Sequence, residues 1–319
     1  MLEEKKITIE VPASTGNVGP GFDCIGLAVD IWNKVTIEKS DGVFEILNKG
    51  INKEKYDSIP IKENLITKGI LLACPEIDLN KFKIISENNI PFAGGLGSSA
   101  ASISAGLIIG NHLSGNKLNN DDLMQMAIAM EGHPDNATPC IHGGLTISFY
   151  DENKSRWVYK KIETIGDLNI MTFVPNFISE TNQSRKKIPS EILLKDVVNN
   201  MSRVALLIDS FESGDYNFLN NATQDFIHQN IRLESFPQIK FLMSAAIEAG
   251  ALGAILSGSG PTLMVFTKGK EFTIDYELKE AARKHNLEGK ITLTKISNKG
   301  ISIIAVSYTH LTLPTIFAV

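Results

Sequence analysis

Apolar and polar residues alternate along several short segments of this 319-residue chain, and such a period of two predicts β-strands. The expected strands cover residues 7–11, 32–38, 83–86, 146–150, 168–175, 290–296 and 300–306. Residues 151–161 are charged and predict a hairpin, and residues 250–266 predict two strands joined by a glycine turn. Residues 39–62 are polar and interrupted by glycine and proline, which predicts a hairpin and loop.

Other segments repeat their apolar residues at helical spacing. We expect helices at residues 65–73, 100–113, 121–130, 196–212, 219–228, 239–249 and 278–285. Asn64 is the expected N-cap of the first of these helices, and Asn120 opens the third. The mixture predicts an α+β protein. At roughly 150 residues per domain, with a change of composition near residue 160, we expect two domains at residues 1–161 and 162–306.

Composition and charge narrow the class of protein. The chain is 43% hydrophobic and 21% charged, which is ordinary for a globular protein, and its net charge of −5 disfavours a nucleic-acid or membrane surface. Its three cysteines lie far apart and have neither metal-site nor redox spacing, so we expect reduced thiols in a cytoplasmic protein. We expect no signal peptide, and the sequence contains no apolar run of about 18 residues that could span a bilayer.

Residues 94–101 read Gly-Gly-Leu-Gly-Ser-Ser-Ala-Ala and open one of the expected helices. Glycines let the backbone approach a ligand closely, and a helix N-terminus offers free N–H groups, so the segment suits a phosphate. We expect one of the two serines to be the N-cap. The alternative is an ordinary turn before a helix. No Lys follows the last glycine as in a Walker A loop, and the glycine spacing fits a dinucleotide-binding fingerprint poorly.

Two further polar segments are candidates for chemistry. Residues 12–23 contain five glycines and prolines, which should exclude regular structure, and this loop is long for a plain hairpin; it holds Asn17 and Asp23. Glu131 ends a helix, where a carboxylate is unfavourable without a partner such as Mg²⁺. His133 and Asp135 follow on the turn. A histidine beside a proline is more often a structural hydrogen-bond partner than a catalyst.

Together these motifs resemble the GHMP kinase superfamily. The glycine loop, the first motif over residues 7–28 and the Ser-Gly-Ser-Gly-Pro-Thr segment at residues 257–262 occur in the family's order. Gly-Phe-Asp at residues 21–23 and His-Pro-Asp-Asn at residues 133–136 resemble the homoserine kinases. The resemblance implies an N-terminal domain like the second domain of ribosomal protein S5. It implies a C-terminal ferredoxin-like α/β sandwich, with the active site between the two.

The implied activity is ATP-dependent phosphorylation of L-homoserine to O-phospho-L-homoserine, in threonine biosynthesis. Residues that match the family's nucleotide site are Asn64, Pro91, Phe92, Ala93, Gly94, Gly95, Leu96, Gly97, Ser98, Ser99, Ala100 and Ala101. Asn64 would approach the adenine, a role that is compatible with helix capping. Mg²⁺ would be held by Glu131 together with Ser98 or Ser99.

The family's substrate residues match Arg185 and Arg232 for the homoserine carboxylate and Asn17, Asp23 and Asp135 for its ammonium group. Thr181 and His133 match further substrate-binding positions. Asn17, Asp23, Glu131, Asn136 and Arg185 are the candidates for the catalytic step. Asn136 stands where mevalonate kinase has a proposed aspartate base, and an amide cannot take a proton. We therefore expect catalysis by positioning and electrostatics, with Asp23 as the alternative base.

Some alternatives stay open. Residues 179–187 also read as a solvated basic surface. The activity could belong to another GHMP kinase that acts on mevalonate or a sugar, or to a catalytically inactive ligand sensor. The resemblance further implies a homodimer, and it ends at residue 306. Residues 307–319 are apolar but lack strand periodicity and contain a proline, so we interpret them as a non-native tail.

Overall fold

The computed structural model describes residues 6–165, 167–177 and 185–304. Thr181, the end of the strand expected at residues 300–306, and the tail at residues 307–319 lie outside the described residues. Within the described ranges the chain forms two sheets with helices packed on them. In those ranges, no helix combines the length and the apolar character that crossing a membrane requires.

The first sheet is built around two long antiparallel strands. Its members are β1 Lys6–Gly16, β2 Ile25–Lys39, β3 Glu45–Gly50, β4 Phe82–Asn88, β5 Leu145–Asp151, β6 Arg156–Ile162 and β11 Ser302–Ile304. The strand order is β11-β1-β2-β4-β3, with β5 joining β2 to β6. The alternation in β1 buries Ile7, Ile9 and Val11, as the sequence predicts.

Two expectations about this sheet are wrong. Residues 12–16 do not form a loop but continue β1 as far as Gly16. Pro12 is tolerated there because the pairing register with β2 shifts between Pro12 and Ala13, and prolines occur in sheets at such irregularities. The strand expected at residues 32–38 begins earlier than predicted, because β2 runs unbroken from Ile25 to Lys39.

Helices of the first half cover one face of this sheet. They are α1 Lys53–Asp57, α2 Leu65–Ala73, α3 Ser98–Leu113, α4 Asn120–Glu131 and α5 Pro134–His142, with a 3₁₀ turn at Leu79–Lys81. The N-cap of α4 is Asn119 rather than Asn120, in a capping box with Asp122. The prediction of a loop at residues 39–62 is wrong, because this segment forms β3, parallel to β4, and α1.

The second sheet is antiparallel and has the order β10-β7-β9-β8. Its strands are β7 Asn169–Pro175, β8 Gly253–Leu256, β9 Leu263–Thr267 and β10 Gly289–Lys295. Its helices are α6 Leu194–Ser213, α7 Leu219–Ala222, α8 Gln229–Leu233, α9 Pro237–Glu248 and α10 Glu271–Lys284. This β-α-β-β-α-β order confirms the expected ferredoxin-like sandwich.

One expected helix of this half is broken. Residues 219–228 do not form a continuous helix, because α7 ends at Ala222 and α8 begins at Gln229. The carboxylate of Asp225 accepts hydrogen bonds from the backbone N–H groups of His228 and Gln229, at 2.7 and 2.6 Å. Arg232 therefore lies inside α8 rather than after a longer helix.

The last described strand returns to the first sheet, because β11 pairs with β1 from Thr8 to Glu10. The division into domains at residues 1–161 and 162–306 stays a prediction. The pairing of β11 shows that the last described strand of the second segment belongs to the sheet of the first.

Candidate active site

A cleft runs between the N-terminus of α3, the loop after β1 and the loop between β8 and β9. Of the site residues predicted from the sequence, those that line it are Asn17, Asp23, Asn64, Phe92, Ala93, Gly95, Gly97, Ser98, Ser99, Glu131, His133, Asp135, Asn136, Arg185 and Arg232. Pro91, Gly94, Leu96, Ala100 and Ala101 are not part of the lining. Leu96, Ala100 and Ala101 are buried, because the start of α3 packs its apolar side chains on the sheet.

The glycine loop presents the N-terminus of α3 to the cleft. The N-cap is Gly97, with a φ of 69°, so the expected capping by a serine is wrong, and Ser98 and Ser99 form the first turn. A Cβ on Gly95 would lie 2.4 Å from the carbonyl oxygen of Ser257, so only glycine fits this position. Ser257 also donates its hydroxyl to the Gly95 carbonyl at 2.7 Å, and the predicted third motif thus supports the loop.

Glu131 faces this turn from the end of α4. The Ser99 hydroxyl donates a hydrogen bond to the Glu131 carboxylate. Burial raises the pKa of Glu131, against the opposing effects of Ser99 and His133. A half-buried carboxylate with a neutral hydroxyl partner favours a cation beside it, and both groups are the hard oxygen ligands that Mg²⁺ prefers. The Ser98 hydroxyl is the second candidate ligand, and it already accepts a hydrogen bond from the Ala93 N–H at 3.4 Å.

His133 and Asp135 form a hydrogen-bonded pair where α5 begins. The His133 Nδ1 contacts the carboxylate of Asp135, which is 2% exposed. Burial acts to lower the pKa of His133, but the bond to Asp135 and the charges of Asp135, Glu131 and Asp23 outweigh it and raise that pKa. Asp135 and Asn136 lie in the first turn of α5, a helix that the sequence reasoning missed. The Asn136 amide oxygen accepts the Ser14 hydroxyl at 3.1 Å, which fixes its orientation.

Asp23 and Arg185 form a bidentate ion pair in the cleft. The guanidinium donates to both carboxylate oxygens, at 2.9 and 2.6 Å, although the two residues are far apart in the sequence. Asn17 holds the adjacent loop: its amide nitrogen donates to the Gly258 carbonyl at 3.1 Å, and its amide oxygen accepts the Asp23 N–H at 3.0 Å.

The second arginine lies deeper. Arg232 is 3% exposed and donates through Nη1 to the Gly258 carbonyl at 2.8 Å. Burial and the charge of Arg185 lower the pKa of Arg232, while neighbouring carboxylates oppose the change. The ring of Phe22 lies 5.6 Å from the guanidinium carbon of each arginine, so cation–π attraction helps to hold two like charges near one another. Phe22 belongs to the quoted Gly-Phe-Asp motif, but its role was missed.

The opposite end of the cleft is apolar. It is lined by Tyr56, Ile59, Leu65, Ile66 and Phe92, and the rings of Tyr56 and Phe92 meet edge to face at 5.0 Å. Most of these residues were missed, because Tyr56 and Ile59 fall in the segment interpreted as a loop. Asn64 at the same end caps α2 as predicted, accepting the backbone N–H groups of Ile66 and Thr67 at 2.9 and 3.4 Å.

Comparison with known proteins agrees with this arrangement. Residues 64–144 match the GHMP kinases N terminal domain family, and residues 207–291 match the GHMP kinases C terminal family. The chain is 36% identical to a homoserine kinase of Clostridium beijerinckii, over 93% of this chain and 98% of that one. It is 35% identical to a homoserine kinase of Halothermothrix orenii, over 92% of this chain and 95% of that one.

A solved structure supports the same grouping. The crystal structure of homoserine kinase from Cytophaga hutchinsonii superimposes with a TM-score of 0.82 at 26% sequence identity, covering 95% of this chain and 99% of the other. The resemblance stated from the sequence motifs and the fold class are both confirmed. The chain therefore belongs to the homoserine kinase family of the GHMP kinases.

Proposed function

We propose that the protein transfers the γ-phosphoryl group of ATP to the side-chain hydroxyl of L-homoserine, forming O-phospho-L-homoserine for threonine biosynthesis. The observation that carries this proposal is that one cleft holds both a helix N-terminus suited to phosphates and a cluster of two cations and two carboxylates suited to a zwitterion. Homoserine kinases among the relatives support the choice of substrate.

The nucleotide occupies the glycine loop and the apolar end of the cleft. Backbone N–H groups at the start of α3, together with the helix dipole, bind the phosphates. The adenine lies between Tyr56 and Phe92 on one side and Leu65 on the other, next to Asn64. Phosphoryl transfer needs little covalent help from the protein, so accurate placement of the γ-phosphate is the main contribution of this loop.

Glu131 and Ser99 would hold the Mg²⁺ that accompanies ATP, with Ser98 as the alternative hydroxyl ligand. Bound there, the ion would supply positive charge for the phosphates of the nucleotide. The fit rests on Glu131, whose half-buried carboxylate has a neutral partner in Ser99 and a raised pKa.

Homoserine binds at the other end of the cleft through its two charges. Arg232 and Arg185 hold the carboxylate, and Asp23 and Asp135 accept from the ammonium group. Because Asp23 and Arg185 pair with one another in this structure, the substrate's opposite charges replace an interaction that is already present. Asn17 acts mainly on the loop, since both ends of its amide are engaged.

The transfer step relies on positioning rather than on a strong base. Asn136 cannot accept a proton, and Asp23 is engaged with the ammonium group of the bound substrate. The proton of the homoserine hydroxyl is therefore transferred to an oxygen of the γ-phosphoryl group. His133, held by Asp135, orients the ammonium end of the substrate, and Arg185 adds positive charge near the transferred group.

A coupled ADP-release assay tests the proposal, with L-homoserine, mevalonate, shikimate and galactose as parallel substrates. We expect turnover with homoserine alone, dependent on ATP and Mg²⁺, and a product with the mass of O-phospho-L-homoserine. Folded protein that releases no ADP with millimolar homoserine would contradict the proposal. Turnover with mevalonate or galactose instead would keep the kinase class and change the substrate.

Two finer expectations belong to this proposal. We infer a homodimer and a cytoplasmic location, both from the resemblance to the family. Light scattering coupled to size-exclusion chromatography measures the mass in solution, and a mass near the 34.9 kDa of one chain would contradict the dimer. Fractionation of cells that express the protein tests its location.

A further inference from the structure

His228 lies behind the substrate end of the cleft and has no role in the mechanism above. Its side chain is fully buried in the break between α7 and α8. The imidazole contacts two segments that matter for the site: its Nε2 lies 2.8 Å from the carbonyl oxygen of Gly19, and its Nδ1 lies 3.2 Å from Nη1 of Arg232. It therefore joins the loop after β1 to the buried arginine.

The two contacts define one tautomer of His228. A guanidinium nitrogen can only donate, so Nδ1 must be the acceptor of the bond from Arg232. A carbonyl oxygen can only accept, so Nε2 must carry the proton that is donated to Gly19. Burial lowers the pKa of His228, and Arg232 acts in the same direction while Asp225 opposes it. A neutral imidazole is consistent with both hydrogen bonds.

The same contacts fix one nitrogen of Arg232. Nη1 donates both to the Gly258 carbonyl and to His228, whereas the buried Nε has no hydrogen-bond partner among the described residues. The guanidinium plane is thereby anchored at one corner, with the rest of the group left to face the cleft that Arg232 lines. A free arginine side chain has several rotatable bonds, so an anchor of this kind reduces the entropy lost when a carboxylate binds.

His228 is itself held in place. The Asp225 carboxylate accepts the backbone N–H of His228 at 2.7 Å, and the Phe22 ring lies 5.2 Å from the imidazole. Since Phe22 also contacts both cleft arginines, the imidazole, the aromatic ring and the guanidinium of Arg232 form one packed unit.

We infer that His228 is a positioning residue, which orients Arg232 for the carboxylate of an amino-acid substrate by accepting a hydrogen bond at Nδ1. This inference rests on the proposed function, because it assigns the substrate carboxylate to Arg232. Its effect should appear in the KM for substrates that carry a carboxylate, and not in the KM for ATP.

The test compares two variants of equal shape. Asn and Leu are nearly isosteric, but only His228→Asn keeps an acceptor near the position of Nδ1, and both variants lose the bond to Gly19. We expect the homoserine KM of His228→Leu to exceed that of His228→Asn by about five- to tenfold, which is less than the effect of one full hydrogen bond to a charged group because His228 acts on the substrate only through Arg232. The KM for ATP and for 3-aminopropanol, which lacks the carboxylate, should be equal in the two variants.

Equal homoserine KM values in the two variants would overturn the inference and leave His228 with a structural role only. If the wild-type protein does not phosphorylate homoserine, the proposed function itself fails, so the two failures are distinguishable. If the variants do not fold, the inference can still be tested on the wild-type protein. ¹⁵N NMR at neutral pH should show His228 neutral and protonated at Nε2. A proton at Nδ1 would overturn the inference.

Discussion

The two arginines of the cleft should respond differently to replacement by alanine. Arg185 is partly exposed, with 43% of its side chain accessible, and its guanidinium bonds to Asp23 within the described part of the chain. Arg232 is buried and bonds to the Gly258 carbonyl and to His228. If both bind the substrate carboxylate, both variants should weaken homoserine binding, but only Arg232→Ala should also weaken the fold.

The burial of each arginine determines how strongly its replacement should raise the KM for homoserine. A hydrogen bond to a charged group contributes about 1.5–3 kcal/mol, which is roughly tenfold to over a hundredfold in KM. Arg185→Ala should fall at the low end, because solvent screens its charge and Asp23 becomes free for the ammonium group. Arg232→Ala should fall at the high end. It also leaves the buried Nδ1 of His228 without a donor, at a cost to stability of about 1–3 kcal/mol, whereas the Gly258 carbonyl keeps its bond from Asn17.

The assay measures KM and kcat for homoserine and for 3-aminopropanol, together with the melting temperature of each variant. Wild-type protein should prefer homoserine, and both variants should lose most of that preference. Arg232→Ala should melt at a lower temperature than Arg185→Ala. If neither variant changes the ratio of the two KM values, the reasoning about the carboxylate is refuted, whatever happens to stability.

Two other residues give independent predictions. Glu131→Ala should lower kcat far more than it raises the homoserine KM, since it removes a metal ligand; unchanged turnover at ordinary Mg²⁺ would leave Glu131 as a helix-end residue only. Burial lowers the pKa of His142 to about 4 from an ordinary 6.5, so its contribution to stability is present above about pH 6.5 and is lost as the pH falls toward 4. Because of this group, the free energy of unfolding obtained from melts at pH 8 and at pH 5 should differ by up to about 2 kcal/mol, and His142→Gln should reduce that difference. An equal difference in the wild-type and variant proteins would contradict this prediction.

The segment at residues 39–62 shows why part of the fold was not predictable. Strand β3 lies at the sheet edge with only Asn48 buried, so its sequence has no apolar alternation. Helix α1 has five residues and buries only Tyr56, which is too short for a helical period to appear. Longer elements such as α3 and β1 bury many residues at regular spacing, and for this reason the sequence predicted them.

The candidate site was predictable where motifs carry it, and not where tertiary contacts do. The glycine loop and the His-Pro-Asp-Asn segment point to their chemistry through residue type and order alone. The pairing of Asp23 with Arg185, and the bond from His228 to the Gly19 carbonyl, depend on how the two halves of the chain pack. No local pattern reports that His228 is buried, because a single polar residue in a short helical break looks like a surface residue.

Backbone strain in the loop after β1 shows how the second half of the chain supports the substrate end of the cleft. Asn17, Val18 and Asp23 all have positive φ angles, of 67°, 45° and 56°, which is unfavourable for residues with a Cβ and above all for a branched valine. The loop is held by the Asn17 bond to Gly258, the His228 bond to Gly19 and a bond from the Asn200 amide to the Pro20 carbonyl at 2.6 Å. Each of these partners belongs to the half that carries the second sheet. The strained conformation that places Asp23 in the cleft therefore depends on contacts from α6, α8 and the loop between β8 and β9, so the substrate end of the site forms only when both halves are folded together.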